Sequence, residues 1–411
     1  MAKLLIISKW LPYPLSDGGK QAIFNCIKAL CNVHEVHLSY FEPFNVNSSE
    51  ELISEFKCEC KGVYVHRFKE KKSKKELLKN KLFRIFRKLK NENVVDSMLQ
   101  AETSLTIFPE EYLKYINTLI YEHKIEIVQV EMIANISLVL SLPSNVKKIF
   151  VHHELKFVRN KLIFSNLNLN LIQKNRIMMS KIMEISLLNQ YDAIVTLSTI
   201  DKAKLIDEGV MCPIYTSFAT VTSKTKAIND NKEKLLLSFV GPETHMPNKD
   251  GLIWFLETCW NELLMYNPNM RLQIIGKWNS DTQNEFHEKY NNIVFRGYVD
   301  DLTSAVQNSI MIVPILVGSG IRMKILESAQ IGVPFVTTSV GVEGLPFVDG
   351  KDCFVADTSS EFIDKVKELS KNAELRNSMI ANAEELVNNY FSFDALKSNK
   401  LNIINLIQCC S

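Results

Sequence analysis

A short segment in the second half of the chain combines glycines, cations and a carboxylate in an order that can bind a phosphorylated ligand. Residues 318–327 read Gly-Ser-Gly-Ile-Arg-Met-Lys-Ile-Leu-Glu, and an apolar run that predicts a buried strand precedes them. The pattern predicts a loop over 317–320 and a helix from there to about Gln330. Free amides at a helix start favour a phosphate, and glycines such as Gly318 and Gly320 let the backbone approach it closely.

Three charged side chains in the same segment could complete such a site. Arg322 and Lys324 are cations near the helix start, where they oppose the helix dipole, so a bound anion would remove a local conflict. Glu327, deeper in the helix, could accept hydrogen bonds from two hydroxyls of a ribose. The alternative is an ordinary glycine-rich turn of a Rossmann-like domain, with these charges on a solvated helix face.

A second candidate group lies where another predicted strand ends. His152, His153 and Glu154 follow one another there, and Glu131 ends the strand before. A histidine at such a position can exchange a proton near neutral pH, although a lone histidine is more often structural. Arg159 could pair with a phosphate or with Glu154. Adjacent residues on a strand point to opposite sides and chelate poorly, so no metal site is expected.

Short apolar runs alternate with longer helical patterns along the chain, which is typical of parallel sheets covered by helices. In the first half, strands are predicted at 3–9, 35–41, 62–68, 125–130, 147–153 and 193–198. In the second half, they are predicted at 235–241, 270–276, 292–298, 309–315, 334–339 and 353–356.

The polar stretch 222–234 lacks periodicity and predicts a linker. The fold class is therefore α/β, with two Rossmann-like domains at 1–221 and 235–385 and a C-terminal helix, 386–411, that packs back on the first domain. Parallel-sheet domains bind ligands outside the carboxyl ends of their strands, so we expect the two domains to face each other across a ligand-binding cleft.

Composition narrows the class of protein. The chain has 411 residues, of which 46% are hydrophobic and 23% charged, and its net charge is +2. Nine scattered cysteines without metal-ligand spacing are typical of reduced thiols in a cytosolic protein. The apolar run at the N-terminus is too short for a signal peptide, and none approaches the roughly 20 residues of a spanning helix. We expect a cytoplasmic protein, either soluble or peripheral on the inner face of the membrane.

One segment, residues 67–90, is strongly basic, with twelve Lys or Arg residues against two Glu residues. Apolar residues between Leu77 and Leu89 recur near helical spacing. This pattern suits an interfacial helix on an anionic membrane, where each basic residue adds about 1 kcal/mol. A solvated basic helix packed on the domain fits equally well. No nucleic-acid partner is expected, because stacking aromatics and a recognisable binding fold are missing.

The ordered motifs resemble the retaining glycosyltransferases of family 4, the "glycosyl transferases group 1" type with the GT-B fold. In that family, a strand–loop–helix carries two glutamates eight positions apart, followed by an Ala-rich stretch and Gly-x-Pro-Val-Val. The specific matches in this chain are 318–327, 332–334 and 338–345. Further matches extend over most of the chain, at 12–19, 193–198, 239–241, 247–251 and 272–276.

The resemblance assigns donor-binding roles to this segment, with one departure. Glu327 matches the second glutamate, which in the family holds the donor ribose. Ser319 stands where the family has the first glutamate, which contacts the transferred sugar. The backbone amides of Gly320 and Ile321 could serve the sugar or the phosphates instead.

A second departure lies at Pro242, where many relatives have an arginine for the diphosphate. Lys249 could match the companion lysine, and Arg322 and Lys324 could supply the missing charge. A branch of the family that reads Gly-x-Gly-x-Arg-x-Lys-Ile-Leu-Glu makes the same exchange of residues. We therefore interpret the departure as variation within the family rather than loss of activity.

The resemblance also implies roles in the first half of the chain. Gly18 and Gly19 would lie near the donor phosphates and the acceptor, the alternative being a tight turn into a helix that requires positive φ. His153, or as an alternative His152, would lie near the exocyclic group of the sugar. The acceptor-side candidates are Glu131, His152 and Glu154.

The implied function is transfer of a sugar from a UDP- or GDP-sugar to a glycan, lipid-linked or polysaccharide acceptor, with retention and without a metal or other cofactor. The catalytic candidates are His153, Arg322 and Glu327, and cations with helix-end amides would stabilise the charge of the leaving group. Two alternatives stay open: a nucleotide-sugar epimerase on the same fold, and a degenerate, non-catalytic sugar-nucleotide-binding subunit.

Overall fold

The computed structural model describes residues 1–15, 18–43, 53–54, 56, 59–68, 94–165, 167–221, 233, 235–318 and 320–409. The chain divides into two units, of which the first contains Met1–Ser217 and Lys397–Ser411 and the second contains Phe218–Leu396. Most of the basic segment 67–90, nearly all of the predicted linker 222–234, and Ser319 lie outside the described residues. The predictions made for those residues therefore stay predictions.

In the described part of the first unit, seven strands form one parallel sheet. They are β1 (Lys3–Ser8), β2 (Glu35–Pro43), β3 (Gly62–Phe68), β4 (Ile127–Glu131), β5 (Lys147–His152), β6 (Ala193–Thr196) and β7 (Ile214–Thr216). The order across the sheet is β3-β2-β1-β4-β5-β6-β7, so the direction of winding reverses between β1 and β4. The sequence predicts the first six strands but not β7, because three residues are too few to show a pattern.

Helices alternate with these strands along the chain. They are α1 (Gly18–Cys31), α2 (Val94–Thr103), α3 (Glu110–His123), α4 (Lys156–Phe164), α5 (Leu171–Leu188) and α6 (Thr199–Asp207), with a 3₁₀ helix at Ile133–Ser141. Local capping explains where some of them begin. The Asn170 side chain accepts a hydrogen bond from the amide of Gln173 in a capping box before α5, and Ser198 caps α6.

The second unit contains, among its described residues, a six-stranded parallel sheet. Its strands are β8 (Leu236–Val240), β9 (Arg271–Ile275), β10 (Ile293–Gly297), β11 (Ser309–Val313), β12 (Phe335–Thr337) and β13 (Phe354–Val355). The order is β10-β9-β8-β11-β12-β13, so the winding reverses between β8 and β11. The sequence predicts all six of these strands.

The helices of this unit also alternate with its strands. They are α7 (Met246–Phe255), α8 (Asn261–Tyr266), α9 (Ser280–Lys289), α10 (Leu302–Val306), α11 (Met323–Ile331), α12 (Ser339–Val342), α13 (Ser359–Lys371) and α14 (Ala373–Tyr390). A π-helical turn, Leu256–Trp260, joins α7 to α8. The last helix, α15 (Phe393–Cys409), belongs to the first unit from Lys397 onward.

Both faces of the second sheet are buried, as the central strand β11 shows. Ile310 and Ile312 belong to one apolar cluster, whereas Met311 and Val313 belong to another. Successive side chains of a strand point to opposite faces, so each cluster lies on its own side of the sheet. Helices therefore cover the sheet on both sides, and the predicted class of two Rossmann-like α/β domains is confirmed.

The helix α11 ends where the sequence predicts it. Gly332 has a left-handed conformation with φ of 78°, and its amide bonds to the carbonyls of the last turn. Glycine adopts this conformation without a Cβ penalty, which explains the end of the helix. The N-terminal end is later than expected, since the first helical residue is Met323. Among the described helices, none combines the length and apolarity that crossing a bilayer requires.

We predict that Gly251→Ala destabilises the second unit by about 1–3 kcal/mol, because an added Cβ would overlap the backbone carbonyl oxygen of Pro314, which follows β11. Urea unfolding followed by tryptophan fluorescence measures the effect. The control is Asp250→Ala, an exposed position on the same helix. Equal midpoints for the two variants would show that α7 and the loop after β11 do not pack as closely as described.

Candidate active site

The two reversals of winding mark where ligands can bind. Chain segments that leave neighbouring parallel strands toward opposite faces open a crevice outside their carboxyl ends. In the second unit, this crevice lies between the segments that follow β8 and β11, and in the first unit between those that follow β1 and β4. Nearly all of the residues predicted for function lie in or next to these segments.

The loop before α11 depends on two glycines and on Arg322. Gly318 has φ of 145° and Gly320 has φ of 80°. A guanidinium nitrogen (Nη1) of Arg322 donates to the carbonyl oxygen of Gly320 at 2.6 Å, and a Cβ at Gly318 would lie 2.8 Å from the other terminal nitrogen. The φ of Gly318 is one that other residues rarely adopt, and a Cβ there would also press on this guanidinium, so glycine suits both the loop and the position of the cation.

Lys324 is the second cation of this loop, on the first turn of α11. Its Nζ donates to Oδ1 of Asn248 at 2.7 Å and lies 5.1 Å from the ring centre of Phe239. The pKa of Lys324 is lowered to about 7, first by burial and then by the charge of Arg322, while Glu327 acts in the opposite direction. Two cations held this close to each other favour a nearby anion.

Asn248, on the first turns of α7, links the two sides of this crevice. It is buried; its Oδ1 accepts from Lys324, and its Nδ2 donates to the carbonyl oxygen of Pro242 at 3.1 Å. A side chain at Gly241 would collide with it. The sequence motif 247–251 includes Asn248, but its role could not be inferred because its partner is 76 positions away.

Lys249 lies beside this group but has a different partner. Its Nζ donates to Glu243 at 2.7 Å, and the same carboxylate accepts from the amide of Asn279 and the hydroxyl of Thr282. The hydrogen bond from Lys249 and then those from the other donors lower the pKa of Glu243 to about 2. Glu243 therefore ties the start of α7 to α9, and it takes up the charge of Lys249.

The other predicted donor-side residues of the second unit lie on or next to α11. Glu327 is half-buried, and its charge acts on Lys324. Ile321 packs against the apolar cluster under β11. Ser319 lies outside the described residues. The structure thus brings Arg322, Lys324 and Glu327 together, with Asn248 as a fourth member that sequence reasoning missed.

In the first unit, neighbouring strand ends bring Glu131 and His153 together. Glu131 pairs in register with Val151 on β5, and His153 follows directly after that strand. Nε2 of His153 lies 2.6 Å from Oε2 of Glu131, and the carboxylate is fully buried while the imidazole is 12% exposed. Gln129 donates to the other carboxylate oxygen at 2.5 Å. A buried carboxylate held from two sides fixes the imidazole orientation.

His152 points to the opposite side of the strand and has a separate partner. Its Nε2 lies 3.0 Å from Oε1 of Glu184 on α5, and both side chains are buried. Glu184 also accepts from the amides of Lys156 and Phe157 at the start of α4. The positive end of the α4 dipole stabilises a carboxylate at this position. His152 therefore links the end of β5, through Glu184, to α5 and to the start of α4.

The neighbouring acid Glu154 pairs with Arg159 at 2.6 Å, and Arg159 also binds Glu102 at 2.5 Å. Of the two partners considered for Arg159, the structure shows the carboxylate. Gly18 and Gly19 are the first residues of α1, after β1, and are helical rather than part of a turn with positive φ. Within the described ranges, no three His, Cys, Asp or Glu side chains converge as possible metal ligands.

Residues 234–372 match a family model described as glycosyl transferases group 1. Over the whole chain, a protein of Klebsiella pneumoniae described as "Uncharacterized 44.6 kDa protein in cps region" is 25% identical, covering 96% of this chain and 95% of its own length.

Among solved structures, TarM of S. aureus superposes with a TM-score of 0.71 at 12% identity, over 98% of this chain and 99% of its own. HepE of Anabaena in complex with UDP and glucose superposes with a TM-score of 0.66 at 11% identity, over 98% and 100% of the two chains. These structural likenesses show the fold. Together with the match over residues 234–372, they identify the chain as a glycosyltransferase with the GT-B fold.

Proposed function

We propose that this glycosyltransferase moves a hexose-type sugar from a UDP- or GDP-sugar to a glycan, lipid-linked or polysaccharide acceptor, with retention, in the manner of family 4. The observation that carries the proposal is the pair Arg322 and Lys324 beside the crevice of the second unit. Each cation raises the cost of charging the other, and a diphosphate removes that cost.

The same pair suits the chemistry of the transfer. When the bond between the sugar and the diphosphate breaks, negative charge grows on the leaving phosphate, and fixed cations stabilise it without reorganisation. The acceptor hydroxyl then attacks the sugar from the same face, through an oxocarbenium-like state, and its proton passes to the leaving phosphate. Glu327, on the same helix, is assigned to the ribose hydroxyls, and the glycine-lined loop before α11 to the phosphates and sugar.

The known complexes of similar proteins support a nucleotide-sugar donor. HepE has been crystallised with UDP-glucose, and TarM with UDP. The relative from Klebsiella pneumoniae is described as a protein in the cps region, which supports a role in polysaccharide synthesis. UDP-sugars are therefore the first donors to test, with GDP-sugars second.

We assign His153 to the transferred sugar, as the group that Glu131 orients. Its imidazole is partly exposed, whereas Glu131 and Gln129 behind it are buried, so the ring has one side open to a ligand. His152 and Glu154 stay acceptor-side predictions; their bonds to Glu184 and Arg159 favour a role in holding the loop after β5.

We predict that Arg322→Gln and Glu327→Gln abolish thermal stabilisation by UDP, and that Arg322→Gln lowers the rate of donor consumption about 100- to 1000-fold, because it removes charge from the leaving-group site. Thermal shift with UDP, GDP, ADP and their sugars measures nucleotide binding. Release of the nucleotide from the sugar donor, in the presence of EDTA, measures the rate of donor consumption.

Lys351→Gln is the matched control, since it removes an exposed cation from the same unit. Wild-type rates in Arg322→Gln would contradict the assignment. Equal background rates in wild type and Glu327→Ala would indicate a binding subunit, and conversion of the sugar without release of nucleotide would indicate an epimerase.

We predict that UDP binding takes up a proton above pH 7. The pKa of Lys324 is about 7 without ligand, and a bound diphosphate raises it, so between pH 7 and 9 the lysine is charged on binding and the affinity falls as the pH rises. Calorimetry at pH 8 in buffers of different ionisation enthalpy measures the uptake. Lys324→Arg, which stays charged, should bind without it; uptake in that variant would place the titrating group elsewhere.

We predict that His153→Ala lowers kcat about 100-fold while the affinity for UDP changes less than threefold, because the imidazole acts on the sugar and not on the nucleotide. Steady-state kinetics and UDP titration separate the two effects. Glu131→Gln should reproduce part of the loss in kcat. An equal loss of UDP affinity would instead put His153 at the phosphates.

A further inference from the structure

One face of α5 exposes large apolar side chains, and we call it the α5 face. Its six members are between 41% and 85% exposed: Leu171, Ile172, Met178, Met179, Ile182 and Met183. At 3.6 residues per turn, they fall within about 140° of one side of the helix. Asn175 and Ser186 are exposed in the same sector, so the α5 face is mostly apolar. An exposed apolar patch of this kind usually marks an interaction site.

The polarity of α5 is inverted relative to an ordinary surface helix. Its buried side carries Gln173, Ser180 and Glu184, together with the two leucines at its end. These polar groups are used inside the unit, since Gln173 takes part in the capping box and Glu184 accepts from His152 and the start of α4. Three of the five buried positions of α5 therefore hold polar groups, whereas six of its large apolar side chains face outward.

The charges that border the α5 face are positive. Lys174 and Arg176 are exposed on the same helix, one on each side of the face. The one acidic residue of α5, Glu184, is buried, and Lys181 pairs with Glu208. An apolar face bordered by cations, on a helix that exposes no acid of its own, complements an anionic lipid surface. Methionines suit such a surface because they adapt their shape.

The first turn of α5 is also tied to the end of the basic part of the sequence. Nε2 of Gln173 donates to Oδ1 of Asp96 at 2.8 Å, on the first turns of α2. That helix begins at Val94, and residues 69–93, which precede it in the chain, contain eleven Lys or Arg residues. The basic stretch of the sequence therefore precedes a helix that is bonded to the inner side of α5.

We propose that the α5 face lies on an anionic phospholipid membrane, with its apolar side chains in the interfacial layer and Lys174 and Arg176 at the headgroups. The α5 face contains none of the residues assigned to the donor, so the proposal does not depend on the proposed function.

The test is co-sedimentation of the full chain with vesicles of phosphatidylcholine alone and of phosphatidylcholine with 30% phosphatidylglycerol, at low salt. We expect binding to the anionic vesicles only. Met179→Glu with Ile182→Glu should weaken it at least tenfold, since two carboxylates would enter the apolar layer. Tyr121→Glu with Met265→Glu is the matched control, because it adds the same charge at exposed positions elsewhere, and it should bind like the wild type.

A second pair of variants tests the charges. Lys174→Gln with Arg176→Gln should weaken binding more than Lys114→Gln with Lys289→Gln, which removes two exposed lysines from other helices. UDP thermal shifts should be the same in all variants, which separates this proposal from the donor assignment.

Three results would overturn the proposal. The first is a wild-type chain that does not sediment with anionic vesicles. The second is unchanged sedimentation of the variant Met179→Glu with Ile182→Glu. Any vesicle binding would then have to come from the lysines between 71 and 81. The third is light scattering that shows a wild-type dimer, a monomer for that variant and equal vesicle binding, because the face would then join two copies of the chain.

Discussion

Two basic side chains held close together at the beginning of α11 are the constraint on which the candidate site of the second unit depends. The charge of Arg322 helps to lower the pKa of Lys324, and both cations stand at the end of a helix that already carries partial positive charge. Such an arrangement costs free energy in the empty protein. It persists because surrounding groups hold it: the carbonyl of Gly320 accepts from Arg322, and Asn248 accepts from Lys324. Sites that violate local rules in this way are usually functional.

The sheet order explains why these groups meet. Arg322 and Lys324 follow β11, and Asn248 follows β8, and these strands are neighbours between which the winding reverses. In the first unit the same order puts Glu131 at the end of β4, next to β1, and His153 at the end of β5. The two units thus use one topology differently: one presents cations and the other a buried carboxylate with an imidazole.

Much of the fold can be predicted from the sequence, and the site residues that cannot be predicted have identifiable causes. Parallel strands buried on both faces are short apolar runs, so they could be found without knowing the pairing. The helix α11 begins later than the sequence predicts, because Gly318 and Gly320 have positive φ and the loop therefore continues up to Arg322; glycine spacing alone does not give these φ values. The role of Asn248 cannot be inferred from the sequence, because its partner Lys324 is 76 positions away. The charge of Lys249 suggests a ligand of the diphosphate, but its neutralisation by Glu243 cannot be recognised from spacing alone.

The histidine pair at the end of β5 shows how one helix serves two purposes. Because His152 and His153 point to opposite sides, a carboxylate must hold each from its own side, and α5 supplies Glu184 for His152. The same carboxylate accepts from the first amides of α4, so the strand end, α4 and α5 are joined at a single buried group. This explains why the inner side of α5 is polar. It does not require the outer side to be apolar, since lysines and glutamates would be compatible with every internal contact. We attribute the six exposed apolar residues to the proposed membrane contact. Glu184, on the same helix, connects that face to the end of β5, which His153 follows.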